Sequence, residues 1–188
     1  MTELWWKNAR SIGYQKGANA RNFEKAVDVT QLRLKERFCF TSCSENAGRI
    51  NVSPANTGQF QSYLIDFGKT VFGCPYLSLK GCSGGEVVDT LFVETIQPDL
   101  TPDFLANSCS HIAFGGRLIC REGTSEHLFY HPYGFRYMIV TLRRVKQPLT
   151  LKVALQWKGY PLERNGGFHC SDRTPNQIWE AGALTQQC

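Results

Sequence analysis

Short apolar runs recur along the chain at spacings of roughly ten residues, over 62–67, 74–79, 86–94, 110–114, 116–120, 127–130, 135–142 and 149–157. Turns containing Gly, Pro or Ser separate them, and no helical periodicity intervenes. That pattern predicts an antiparallel sandwich or barrel. The longest run follows a turn at Tyr130-His131-Pro132-Tyr133-Gly134 and sets Phe135, Met138, Val140 and Leu142 on one face with a single phase slip, so it reads as a central strand. Val87–Glu94, after the turn Ser83-Gly84-Gly85, reads as another. Gly115-Gly116, between Phe114 and Arg117, is the clearest hairpin turn, and Pro75 is expected at a strand start or a sheet edge because it cannot donate to a ladder.

The flanks differ in character. Residues 1 to 22 lack sustained periodicity and are expected to be irregular; Val27–Leu34 and Phe38–Phe40 look strand-like, and Ser44–Gly48 looks like a turn. After Trp157 the chain changes again. Lys158–Pro161 and Asn165-Gly166-Gly167 make a linker, and Ser171-Asp172 can cap a helix entered through Pro175. Ile178, Ala181, Thr185 and Cys188 fall on one face of that helix beside Trp179, a stripe expected to pack against chain beyond this sequence. The expected division is a lead-in with first strands over 1–57, a β-sandwich over 58–157, and a linker with a helical segment over 158–188.

The 188 residues carry a formal charge of +5, which changes little. Arg143, Arg144 and Lys146, like Arg33, Lys35 and Arg37, read as solvated strand faces, and no basic recognition module argues for nucleic acid. Nothing approaches a membrane span, and the stretch Trp5–Arg10 is too short and polar for a signal peptide, so the compartment stays open. Eight cysteines, at 39, 43, 74, 82, 109, 120, 170 and 188, show no paired metal-finger spacing, and they read mostly as small buried hydrophobes. No metal or cofactor is expected.

No nucleophile elbow, phosphate loop or carboxylate pair stands at a usable spacing, so no catalytic residue is assigned. Arg136 stands between Phe135 and Tyr137 in the most apolar neighbourhood of the chain, where a charge needs an acceptor. Glu94, at the end of its own strand, is the expected partner in a buried ion pair. Asp66, before Phe67-Gly68, is expected to bond the backbone of the turn that ends its strand rather than to act in catalysis or hold calcium. Trp157, Tyr160 and Tyr133, with Tyr76, are the candidates for stacking on a sugar, although aromatics in a sandwich more often serve its core.

Three blocks in order resemble bacterial α-L-rhamnosidases of glycoside hydrolase family 78: Tyr63–Gly68 with Gly73, Gly84–Val87 running to Glu94, and Tyr130–Tyr137. A fourth, Phe168–Asp172 with Asn176–Trp179, is similar to the start of that family's (α/α)6 barrel. The resemblance implies an all-β fold, an antiparallel sandwich of jelly-roll or concanavalin-like type with a short C-terminal helical segment. It also implies a parent enzyme that is an inverting glycosidase. The Asp-x-Tyr strand usual in the family is replaced here by Ser110–Phe114, and the family's catalytic glutamates lie in the barrel, beyond the matched residues. The function expected of this segment is therefore that of an accessory domain. It would brace the catalytic barrel of the same parent chain and contact rhamnose-containing carbohydrate. The alternatives are an independent carbohydrate-binding module and a purely structural assembly domain.

Overall fold

A computed structural model describes residues 5–6, 9–17, 41–45, 49–56, 58–103, 115–160 and 162–187. Among these described residues the strands are β1 (Trp5–Trp6), β2 (Arg10–Gly17), β3 (Thr41–Glu45), β4 (Arg49–Val52), β5 (Phe60–Ser83), β6 (Val87–Val93), β7 (Gly115–Ile119), β8 (Glu122–Leu128), β9 (Tyr133–Arg143) and β10 (Leu149–Trp157). A helix, α1 (Arg173–Gln187), follows. The fold is an all-β antiparallel sandwich with a C-terminal helix, as the strand pattern predicts. Among the described residues no helix is long and apolar enough to cross a membrane.

The 24-residue β5 organises both sheets. Its first half pairs with β2 and β9, and the order there continues through β6 to β7; its second half pairs with β8 and β10, and β10 carries β4 and β1. The sequence suggests two strands, 62–67 and 74–79, where the structure has one strand that changes sheets. It does so at an irregularity between Asp66 and Val71, where Gly68 takes φ +81, a conformation that costs a residue with a Cβ.

Alternation along these strands separates two apolar clusters. Tyr63, Ile65, Phe67, Leu77 and Leu79 of β5 meet Phe92, Met138, Val140, Leu142, Leu151, Val153 and Leu155 in the space between the sheets. Phe60, Leu64, Leu91, Val93, Tyr137 and Ile139 form a second cluster on the opposite face of the first sheet, with Ile12, Ile96 and Leu100 packed against them. The phase slip in β9 falls where its register with β5 shifts: Phe135 and Met138 both belong to the inner cluster, while Tyr137 belongs to the second.

Several expectations are corrected. Residues 10–17 are strand β2, hydrogen-bonded to β5, rather than irregular; their polar composition hides an alternation that only pairing reveals. Gly115 and Gly116 lie inside β7 opposite Leu91 and Thr90, not in a hairpin turn. A Cβ on Gly116 would stand 2.5 Å from the Phe129 ring, so this glycine answers to a close approach. Pro75 sits within β5 opposite Leu155, at the point where the β8 ladder ends; its carbonyl accepts from Phe129 N–H, so its missing donor faces the end of that ladder. The expected strands at 27–34, 38–40 and 110–114 lie outside the described residues.

Candidate functional site

The expected Arg136–Glu94 pair does not form. Arg136 Nε donates to Asp66 Oδ1 at 3.0 Å and its Nη2 to Asp66 Oδ2 at 3.3 Å, while Glu94 is exposed just past β6. Register is the reason, because Asp66 pairs with Tyr137, next to Arg136, at the last rung before the β5–β9 register shifts. The pair is also only partly buried, with side-chain exposures of 39% for Arg136 and 5% for Asp66. The Asp66 hydrogen bonds hold the guanidinium pKa above its ordinary value against the opposing effect of burial. Asp66 also accepts the Gly68 N–H at 2.7 Å, the turn-closing role expected from sequence. The guanidinium lies 4.9 Å from the Tyr137 ring centroid.

The buried charges are elsewhere. Asp89 is directly opposite Arg117 on β7 and diagonal to Arg143 on β9, the two arrangements in which side chains on one sheet face meet. Its carboxylate accepts from both arginines. Arg143, expected on a solvated face, is 4% exposed at its side chain, and Asp89 is 1% exposed. Burial pushes the Arg143 pKa down while Asp89 opposes that shift. The signal for this cluster is Asp89 itself, a carboxylate amid Val87, Val88, Leu91 and Phe92.

The candidate sugar-stacking residues are only partly brought together. Gly73 pairs with Tyr133 on one side and Trp157 on the other, so the two aromatics share one row across three strands. The Tyr133 ring, however, packs at 4.7 Å from Phe92 and 6.3 Å from Phe129, a core contact. Trp157 is half-buried at the end of β10, and Tyr160 is 71% exposed in the linker. Tyr76 is half-buried in β5, with a pKa raised by burial and by its hydrogen bond to Glu126.

Beside this end of the sandwich the linker and α1 frame an open cleft. Lys69 and Thr70 of the β5 irregularity, Leu162 and Arg164 of the linker, and Trp179 and Leu184 of α1 line it. Asp172 caps α1 by accepting the Thr174 N–H at 2.8 Å, and Asn176 exchanges hydrogen bonds with the Cys170 backbone at 2.9 and 2.8 Å. Arg164 reaches both carboxylate oxygens of Glu180, at 3.0 and 2.8 Å, and that bond keeps the Glu180 pKa below the ordinary carboxylate value. Trp179 leans on Phe168, with centroids 5.9 Å apart, and both remain more than 40% exposed, as does Ile178 at 67%. The cleft mixes Leu162, Trp179 and Leu184 with charged side chains that include Lys69, Glu163 and Arg173, while the exposed apolar groups Phe168 and Ile178 lie outside it.

No family model and no characterised protein sequence matches the chain. Solved structures do. The GH78 rhamnosidase of Bacillus sp. GL1 superposes with a TM-score of 0.64 at 26% identity, over 73% of this chain and 14% of the enzyme. A rhamnosidase from Klebsiella oxytoca, solved with rhamnose bound, gives 0.60 at 16% identity over 98% of this chain and 35% of that one. The α-L-rhamnosidase of Dictyoglomus thermophilum gives 0.53 at 21% identity over 74% and 15%. The chain thus spans a minor part of each of these enzymes, and the sandwich is similar in fold to a portion of GH78 rhamnosidases.

Proposed function

We propose that this chain is a non-catalytic accessory β-sandwich of an α-L-rhamnosidase-like glycoside hydrolase, and that it braces a helical catalytic barrel through the linker and α1. The observation that carries this reading is the likeness to the Bacillus enzyme at 26% identity, over 73% of this chain but 14% of that protein. The exposed Phe168, Ile178 and Trp179 support it, because a barrel following α1 would cover them. Reading the coding sequence past Cys188 tests the proposal. A helical-hairpin repeat with two acidic residues set apart for an inverting displacement is expected; a stop codon there would overturn it.

A second reading, an independent carbohydrate-binding module, draws on the exposed Tyr160 and half-buried Trp157 and on the Klebsiella enzyme solved with rhamnose. Calorimetry against L-rhamnose and simple rhamnosides separates the two. An accessory brace gives no heat of binding at millimolar ligand, whereas saturable binding lost in Tyr160→Ala favours the module.

A further inference from the structure

Two connections link the sheets side by side and in opposite directions: Gly84–Glu86 from the end of β5 to β6, and Cys120-Arg121 from β7 to β8. They are stitched together by Gly85 N–H to Cys120 O at 2.9 Å and Cys120 N–H to Glu86 O at 2.8 Å. Against this seam lie Cys82, Glu86 and Cys120, 2%, 0% and 4% exposed, with a ligand atom of each within 4.8 Å of the others. Cys82 is held in the β5–β8 ladder opposite Gly123.

Glu86 is oriented before any ligand arrives. Its Oε1 accepts from Ser83 N–H and Ser83 Oγ–H, both at 2.6 Å, and its Oε2 from Gly84 N–H at 3.0 Å. A carboxylate offers about four acceptor positions, so these bonds leave capacity on Oε2. Burial alone would raise the Glu86 pKa, but the Ser83 and Gly84 bonds outweigh it and hold the group ionised. The Ser125 hydroxyl, on the neighbouring strand β8, accepts from Arg121 N–H at 2.8 Å and donates to Arg121 O at 3.3 Å, which ties down the connection that carries Cys120.

We propose that Cys82, Cys120 and Glu86 form a structural site for a thiophilic divalent cation, Zn2+, that clamps the two sheets at this seam. Two thiolates and a carboxylate already fixed by hydrogen bonds are donors this ion accepts, and the backbone bonds of Glu86 and Cys120 supply the outer support that such sites require. Charge balances on binding. The metal-free cluster carries the single negative charge of Glu86; Zn2+ enters as both thiols release their protons to solvent, so the buried net charge is unchanged. The absence of metal-finger spacing in the sequence is no obstacle, since the fold assembles these donors from separate turns.

The test uses the full chain, reduced and stripped of metal with a chelator, then titrated with Zn2+ and separately with Co2+ as a spectroscopic probe. Expected are a single equivalent of Zn2+ bound in competition with a chromophoric chelator, a thiolate-to-cobalt charge-transfer band, and a higher melting temperature with Zn2+. Cys82→Ser and Cys120→Ser should abolish all three, Glu86→Gln should weaken binding at least about tenfold, and Cys43→Ser should change nothing. No cobalt band in the unmutated protein would overturn the proposal whatever the variants do. So would a band that survives Cys120→Ser, or recovery of Cys82 and Cys120 as a disulfide in protein isolated without added oxidant.

Discussion

Arg136 and Arg143 stand on the same strand, and each binds an aspartate of a neighbouring strand, yet their surroundings differ sharply. Arg136 lies where the β5–β9 ladder breaks between Asp66 and Val71, and its side chain is 39% exposed. Arg143 is paired with Phe60 of β5 on one side and Val87 of β6 on the other, and it is 4% exposed. An apolar sequence neighbourhood did not bury Arg136, and a basic run at the end of an apolar strand did not expose Arg143. What decides is whether the flanking strands close over the position. That matters energetically, because an ion pair open to water is worth little and a buried charge without its partner costs several kcal/mol.

The largest effect is expected of Asp89→Ala, which removes the carboxylate that Arg143 and Arg117 share. A loss of roughly 3–5 kcal/mol in unfolding free energy is expected from urea midpoints. Arg143→Met should be milder, roughly 1.5–3 kcal/mol, because Arg117 still satisfies Asp89. A loss under 0.5 kcal/mol for either variant would show that the buried cluster contributes no more than a surface pair.

At the exposed end, Arg136→Met should lower stability by no more than about 1 kcal/mol. Asp66→Ala should lower it by roughly 2 kcal/mol, because the Gly68 N–H loses its acceptor as well. Asp66→Asn, which keeps an oxygen for that N–H, should fall between them. Glu94→Gln should stay within about 0.5 kcal/mol of the parent; a larger loss would restore a structural role to Glu94.

Arg164–Glu180, exposed by 44% and 64% at its side chains, extends the series to the fully solvated limit. The Glu180 pKa is lowered, chiefly by the Arg164 hydrogen bond, so its small contribution is complete above the unfolded-state carboxylate pKa and fades as pH falls through the folded value. Carboxyl NMR titration should find Glu180 below the ordinary range and back within it in Arg164→Gln. Added salt should weaken the shift by screening.

Local pattern was enough for the strands whose apolar content declares them, β9, β10, β6 and the first half of β5, together with the capped α1. Alternation and turn residues are local properties, and they act before any long-range contact forms. The Asp66 turn was legible for the same reason, since an aspartate two residues before a glycine needs only its own backbone. β2 was not legible, because a polar strand is identified by the partner whose edge it completes. The continuity of β5 through both sheets and the placement of Gly116 inside β7 likewise depend on neighbours far along the chain. Which arginine meets which aspartate belongs to this second class, as does the meeting of Cys82, Glu86 and Cys120. Register and sheet order set those distances, and a β-sheet draws its partners from any sequence separation, so only the tertiary structure could decide them.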